Sequence, residues 1–139
     1  RLLLRLVKEQ KLFSKIDAFI SGSEDAGMFW IYSRVAAEVR VEDAEVALWR
    51  ELDLLKEELV PEEELEKVRN RFESEFTFRN VGGENLSNNL ALAELRGDVD
   101  SHLCEPERYR AVTAEDVRIA ARELFRRGNS SVLHYMRKE

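Results

Sequence analysis

The sequence predicts an α+β domain in which a small antiparallel or mixed sheet is covered on one face by helices. Two segments near the N-terminus alternate in hydrophobicity or are dense in β-branched and aromatic residues, which is typical of strands. Most of the remaining chain repeats its apolar residues at helical spacing. With 139 residues, of which 44% are hydrophobic and 36% charged, the composition suits a single folded domain covering 1–139.

The first third of the chain is predicted to contain a helix and a β-hairpin. Residues 1–10 place leucines at helical spacing, and the period changes to alternation in residues 13–20 without an intervening glycine or proline. A loop of turn-forming residues, 21–27, leads into a second strand at 28–35. On the first strand, one face is expected to carry Ile16, Ala18 and Ile20, and the other Phe13, Lys15, Asp17 and Phe19.

Helices are predicted to follow, from Val41 to Leu95 and from 113 to 126, and to cover the sheet. Pro61 with three glutamates after it has the pattern of a helix start, because acids are favourable beside the positive end of the helix dipole. The glycine pair 82–83 breaks that helix, and a further helix is expected from about Leu86 to Leu95.

The end of the chain is predicted to contain capped helices and a last strand. Gly97 lies where a left-handed residue ends a helix, and residues 105–112 suggest a short helix. Thr113 with Asp116 has the form of a capping box ahead of the next helix. Residues 130–136 are expected to close the sheet as a strand.

The order of these elements resembles the C-terminal-type, non-zinc-binding domain of the insulinase, pitrilysin and mitochondrial processing peptidase family of zinc metallopeptidases. Family members typically have a first segment similar to "RLREEKGLAYSVSAF". The matching stretches of this chain are "RLVKEQKLFSKIDAF", "GMFWIYSRV", "VEDAEVALWRELDLL", "VPEEELEKVRNRF", "ELRGDVDS" and "AVTAEDVRIAARELF". Because family domains carry a strand and helices before the first of these stretches, the resemblance implies that residue 1 lies inside a longer peptidase-like protein.

The resemblance also implies that zinc is held elsewhere. Hydrolysis in this family depends on a His-x-x-Glu-His helix of the N-terminal-type domain, in which two histidines bind zinc and the glutamate activates water. This sequence lacks the motif, and neither His102 nor His134 has a histidine or cysteine at ligand spacing. We therefore expect no catalytic residue, metal ligand or cofactor in this chain, and zinc in the missing N-terminal-type domain or a partner subunit.

Substrate contacts at the helix-to-strand junction are expected to be absent as well. Many family members contribute an arginine and a tyrosine from this junction, which donate hydrogen bonds to the bound peptide. The corresponding positions are Val7 and Ser14, and the family's junction glycine is Lys11. The resemblance therefore supports a structural role for the junction in this chain.

Other candidate sites in the sequence favour structural interpretations. We predict His102 to be a surface imidazole in a polar loop and His134 to be a strand residue. We predict Cys104 to be a buried or incidental thiol rather than a nucleophile with His102 as its base. A run of acids is expected to be a solvated helix face: Glu57, Glu58, Glu62, Glu63, Glu64 and Glu66. The aromatic set is expected to lie in the core: Phe29, Trp30, Tyr32, Phe72, Phe76 and Phe78.

Charge and hydropathy exclude two classes of partner. The net charge is −6 and the arginines are interleaved with acids, so we expect no nucleic-acid binding. No apolar run reaches the roughly 18 residues that span a bilayer. Nothing in the sequence indicates a cellular compartment.

An apolar patch is expected where the upstream strand and helix would pack. Such a patch favours self-association of the chain or pairing with that upstream segment.

Three functions remain compatible with the sequence. The first is the non-catalytic half of an insulinase-type peptidase, which helps to form the cleft around an unfolded peptide. The second is a catalytically inert scaffold homologue that keeps the fold. The third is an unrelated helical protein-interaction module, which the predicted hairpin in residues 13–35 disfavours.

Overall fold

The computed structural model describes residues 1–22 and 26–136, and that part of the chain contains two strands and seven helices of five residues or more. The strands are β1 (Phe13–Ser21) and β2 (Met28–Val35). The helices are α1 (Leu3–Glu9), α2 (Val41–Glu57), α3 (Glu62–Asn80), α4 (Gly83–Leu95), α5 (Val99–Leu103), α6 (Glu105–Ala111) and α7 (Ala114–Leu124). The predicted α+β class is confirmed. The predicted loop 21–27 includes residues 23–25, which lie outside the described residues.

The described residues fall into two compact units. The first comprises residues 1–22, 26–58 and 119–136, and the second comprises residues 59–118. The hairpin and its covering helices belong to the first unit. No helix in the described part of the chain is long and apolar enough to cross a membrane.

The hairpin is antiparallel, with pairs that run from Phe13 and Val35 to Ser21 and Met28. The register shifts between Phe13 and Lys15, so that Ser14 is an extra residue on β1. This bulge places Phe13 on the same side as Ile16, and both side chains are buried. The prediction that they face opposite ways is wrong, because strict alternation does not allow for a bulge.

The core of the first unit lies between one face of the hairpin and two helices. Its buried cluster consists of Leu6 from α1, Phe13 and Ile16 from β1, and Ala44 from α2. The α1 helix is a π-helix, in which hydrogen bonds span five residues. The N–H of Gln10, for example, donates to the carbonyl of Arg5 at 2.9 Å. Full burial of Leu6 contributes about 2 kcal/mol of hydrophobic stabilisation.

The C-terminal segment of the first unit packs on α2 and the hairpin. Lys56 Nζ donates to the carbonyl of Phe125 at 3.1 Å, and the Phe125 ring meets the Phe29 ring edge-on with centroids 5.1 Å apart. Residues 130–136 form no strand, so the prediction of a last strand there is wrong. In the described part of the chain β1 and β2 pair only with each other. Residues 130–136 have a composition that favours a strand, but they have no partner strand with which to form backbone hydrogen bonds in the described part of the chain.

The second unit is built from helices whose ends follow the predicted signals. Gly97, at φ +83°, ends α4: its N–H bonds to the Glu94 carbonyl at 2.8 Å, and the Asp98 N–H bonds to the Ala93 carbonyl at 3.2 Å. The predicted stop at Gly97 is confirmed, whereas α4 begins three residues before the predicted Leu86. The short helix α5 was not predicted, although Asp98 caps it by accepting the Ser101 N–H at 3.0 Å.

The α3 and α6 helices of this unit are held together by stacking and by one arginine. The rings of Phe72 and Tyr109 stack with centroids 3.5 Å apart. Arg69 Nη2 donates to the carbonyl of Val112 at 2.6 Å, and its Nη1 donates to Glu62 at 2.7 Å. These contacts fix the end of α6 against the first turns of α3.

Candidate functional site

The helix-to-strand junction turns at Lys11, which has φ +55°, the left-handed conformation. An L-residue with a Cβ adopts this conformation at a cost of about 1 kcal/mol or more, whereas glycine adopts it freely. The turn is held by the N–H of Leu12, which donates to the Leu6 carbonyl at 2.9 Å, and by the N–H of Ala36, which donates to the Leu12 carbonyl at 3.0 Å. Lys11, at the position of the family's junction glycine, therefore has a backbone conformation that favours glycine.

Val7 and Ser14, at the family's arginine and tyrosine positions, make structural contacts. Val7 packs against the core cluster and is half-buried. Ser14 is the bulge residue, and its hydroxyl donates to the Arg34 carbonyl across the hairpin at 3.2 Å. An aliphatic side chain offers no hydrogen-bond donor, and the Ser14 hydroxyl already spends its one donor within the sheet. That neither residue binds substrate stays a prediction.

An arginine does lie near the junction, but it is paired within the fold. Arg5 Nη1 donates to Glu51 Oε2 on α2 at 3.0 Å. The Glu51 side chain is only 6% exposed, and the Arg5 side chain is 33% exposed. A carboxylate buried to this extent requires a cationic or hydrogen-bonded partner, so Arg5 has a stabilising function.

The hairpin face that points away from the core is here termed the open face. It consists of cross-strand pairs: Lys15 with Arg34, Asp17 with Tyr32, Phe19 with Trp30, and Ser21 with Met28. Every one of these residues is exposed.

Three aromatic side chains form the centre of the open face. Phe19 is 52% exposed, Trp30 47% and Tyr32 59%. The Phe19 and Trp30 rings are stacked with centroids 6.4 Å apart and planes 14° from parallel. The open face therefore presents a flat aromatic surface, which can take up apolar side chains of a ligand.

Charged groups border this aromatic centre at one end. Lys15 Nζ lies 2.8 Å from Asp17 Oδ2, and the hydrogen bond to that carboxylate raises the pKa of Lys15. Arg34 lies beside Lys15 across the strands. An apolar centre with a charged border is the usual anatomy of a binding surface.

The prediction that the aromatic set lies in the core is wrong for three of its members. Trp30 and Tyr32 lie on the open face, and Phe78 on α3 is 78% exposed. The others are half-buried: Phe29 against the C-terminal segment, and Phe72 and Phe76 within the second unit. The sequence signal for the open face was the alternation of β2, which places Trp30 and Tyr32 with Arg34.

His102 differs from its prediction. It lies on α5 rather than in a loop, and its side chain is 11% exposed. The ring packs against Phe76 with centroids 5.2 Å apart, and Nε2 lies 3.4 Å from Asn80 Oδ1. Cys104 is exposed, and the described contacts of His102 are to Asn80, Glu105 and Phe76. The arrangement gives no thiol and base pair.

His134 lies in the irregular C-terminal segment, not in a strand, and its Nε2 is 2.9 Å from Glu45 Oε2. Across the described ranges, no three His, Cys, Asp or Glu side chains converge as metal ligands. The residues in these ranges therefore do not fit a zinc ion. In the run of acids that was predicted to be a solvated helix face, Glu62 and Glu66 accept hydrogen bonds from Arg69.

This chain is similar to a known protein family. The family model described as the peptidase M16 inactive domain matches residues 1–72. A search of curated proteins gives no significant match.

Solved structures show the same fold. The inactive peptidase domain of a candidate zinc protease from Bordetella parapertussis is 23% identical, with a TM-score of 0.85 over 99% of this chain and 73% of that one. A candidate zinc protease from Bordetella pertussis Tohama I is 22% identical, with a TM-score of 0.83 over 98% of this chain and 75% of that one. A protease from Helicobacter pylori is 17% identical, with a TM-score of 0.79 over 90% of this chain and 30% of that one.

The fold is shared at low identity, and the family model covers more than half of the chain. The resemblance inferred from the sequence is thereby confirmed, and the alternative of an unrelated helical module is wrong. This chain belongs to the peptidase M16 inactive-domain family of zinc metallopeptidases.

Proposed function

We propose that this chain is the non-catalytic half of a zinc metalloendopeptidase and helps to form the cleft that holds an unfolded peptide. In this proposal zinc and its ligands belong to an N-terminal-type peptidase domain or to a partner subunit. The family match supports the proposal, since the matching model is described as an inactive domain. Two of the similar structures are described as candidate zinc proteases or a domain of one.

The open face of the hairpin carries this proposal. The opposite face packs on the core cluster at the end with Phe13 and Ile16, whereas Phe19, Trp30 and Tyr32 remain half exposed. Solvent-exposed aromatic side chains that share one flat face are unfavourable unless a partner covers them. An extended peptide fits such a face because its side chains project in alternation, so that every second one can contact the rings.

The strand edges offer a second means of contact. Among residues 1–22 and 26–136, β1 and β2 pair with each other and with no further strand. Each therefore keeps one edge with backbone N–H and C=O groups directed outward. An unfolded peptide could pair with such an edge through its main chain, which binds many sequences, while the rings select for apolar side chains.

A binding measurement tests the proposal. Fluorescence anisotropy should follow a labelled, unstructured, apolar-rich peptide titrated with the full chain. Trp30→Ser and Phe19→Ser should each weaken binding about tenfold, because each removes an aromatic contact at the centre of the face. Phe78→Ser is the matched control, since it removes an exposed ring outside the hairpin. Unchanged affinity in Trp30→Ser, or an equal loss in Phe78→Ser, would contradict a binding role for the open face.

The inert scaffold homologue remains the second candidate, and the junction favours it. Val7 packs in the core and Ser14 bonds to the sheet, so neither family position offers a donor to a substrate. A scaffold of this kind would keep the fold and the partner domain but would bind no peptide at the open face. The anisotropy titration separates the two candidates, because only the cleft-forming half loses affinity on Trp30→Ser.

A further inference from the structure

The second unit contains a cavity of about 120 Å³ whose lining is mostly polar. Its side chains come from the last turn of α3, from α4, from α5 and from the start of α6. The polar residues that line it are Arg79, Asn89, Arg96, Ser101, His102 and Glu105. Ala93, which is buried, forms part of its apolar wall.

Two guanidinium groups at this cavity have no acidic partner in the described part of the chain. Arg79 uses one donor, Nε, on the Glu75 carbonyl of its own helix at 3.3 Å, and Arg96 forms no ion pair with a described carboxylate. Other arginines of the same unit do pair with glutamates, such as Arg71 with Glu75 at 2.7 Å. A guanidinium carries five N–H donors, so most donors of both groups remain available for a ligand.

The neighbouring groups add one donor and little negative charge. Asn89 spends one amide N–H on Asn80 Oδ1 at 3.2 Å and keeps a second. Glu105 is the one carboxylate among the described lining residues, and it lies 3.5 Å from His102 Nδ1. With two cations and one anion, the lining favours a negatively charged ligand, which it can hold through charge-assisted hydrogen bonds.

The size of the cavity limits the ligand. A cavity of this size has room for a few waters. Pockets for larger organic ligands begin at about 300 Å³. A tetrahedral or planar oxyanion fits, whereas a nucleotide does not.

We propose that this cavity binds a small oxyanion through the guanidinium groups of Arg79 and Arg96. The amide of Asn89 supplies a further hydrogen bond. Planar guanidinium groups match the oxygen spacing of a phosphate or carboxylate, which is why arginine is preferred over lysine at such sites. The site lies wholly in the second unit and does not depend on peptide binding at the open face.

Calorimetric titration of the full chain with inorganic phosphate tests the site. We expect one equivalent to bind, and Arg79→Gln and Arg96→Gln each to weaken binding at least about tenfold, since each removes a charge-assisted contact. Arg71→Gln is the matched control: it removes the same charge from α3 at a residue outside the lining and should change affinity less than about twofold. Circular dichroism and the unfolding midpoint establish that each variant is folded.

Two further arms identify the source of the oxyanion. A tetrapeptide with a free C-terminal carboxylate and the same peptide as its C-terminal amide compete against phosphate. Displacement by the free acid alone would assign the site to a peptide end, and failure of both to compete would assign it to a phosphate. Absence of phosphate and carboxylate binding by the wild-type chain would overturn the proposal, as would an equal loss in Arg71→Gln and Arg96→Gln.

Discussion

Arg5 Nη1 lies 3.0 Å from Glu51 Oε2, so that the arginine nearest the helix-to-strand junction is joined to a buried carboxylate of α2. The pair ties α1 to α2 above the core cluster. Two residues further along α1, the family's substrate-binding arginine position is occupied by Val7, which packs in that core. The side chains of Arg5 and Val7 both make contacts within the fold.

Removing Arg5 should destabilise the chain through the carboxylate that it leaves behind. Arg5→Met is expected to lower the free energy of unfolding by roughly 2–3 kcal/mol, the lower end of the range for buried pairs because Arg5 is partly exposed. Arg5→Met with Glu51→Leu should recover most of that loss, since both charges are then gone. Urea unfolding followed by circular dichroism measures both.

The control for this prediction is Lys15→Gln, which breaks an exposed pair with Asp17 and should leave the unfolding midpoint almost unchanged. If Arg5→Met were as stable as the wild type, the Arg5 and Glu51 pair would have no stabilising role.

Lys11→Gly should stabilise the chain. Lys11 has a positive φ, and glycine removes the steric cost of that conformation, although it also makes the unfolded chain more flexible. We expect a net gain of about 0.5–1 kcal/mol. Lys8→Gly, a glycine placed within α1 at a negative φ, should instead cost about 1 kcal/mol. Thermal unfolding of both variants checks the sign, and a loss of stability in Lys11→Gly would mean that this strain is absent.

The α7 helix should lose stability in acid through Asp116. Hydrogen bonds from the Thr113 hydroxyl and backbone N–H lower the pKa of Asp116 below its usual range. A carboxyl whose folded pKa is lowered contributes stability above its unfolded pKa and loses it as the pH falls through the folded pKa. The stability difference between wild type and Asp116→Asn should therefore be present at pH 7 and shrink below about pH 4.

Asp100→Asn, at an exposed acid in the first turn of α5, is the control for this pH series. It makes the same change of charge outside the capping box of Thr113 and Asp116, so it measures the effect of net charge alone. An Asp116→Asn difference that is constant from pH 7 to pH 2 would contradict the role assigned to the carboxylate.

The local signals of the sequence predicted helix ends well. Gly97 ends α4 as expected because a left-handed residue there satisfies the last carbonyls, and Thr113 bonds Asp116 in the predicted capping box. Such motifs involve residues only a few positions apart, so they can be recognised without knowledge of the fold. The order of elements was specific enough to indicate the family.

Long-range relationships could not be predicted from local patterns. The bulge at Ser14 depends on how two strands are paired, and residues 130–136 require a partner strand that the described residues do not provide. The cavity forms because Arg79 on α3, Arg96 just after α4 and His102 on α5 converge, which no local spacing indicates. The open face was missed as well, because the aromatic residues of β2 were assigned to the core, although strand alternation places Trp30 and Tyr32 on one face with Arg34.

Self-association of the chain stays a prediction. Several apolar side chains of the second unit are exposed, including Val81 and Leu95. Sedimentation velocity should show a weight-average coefficient that rises with concentration, and Val81→Ser with Leu95→Ser should reduce that rise because it removes apolar contact area. Val46→Ser, an exposed apolar residue of α2, is the control. A single monomeric species at all concentrations would refute this expectation.

We propose that this chain binds peptide as half of a peptidase without supplying a catalytic group. Steady-state peptide hydrolysis by the zinc-containing protein or complex that includes this chain tests it most directly, with variants Val7→Ala, Ser14→Ala and Trp30→Ser shown to be folded by circular dichroism. We predict that Trp30→Ser raises KM about tenfold with little change in kcat, and that Val7→Ala and Ser14→Ala change kcat/KM less than about tenfold. Loss of an oxyanion donor costs roughly 10²–10³ in kcat. A hundredfold fall in kcat for folded Val7→Ala or Ser14→Ala would contradict the account and place this half in the catalytic step.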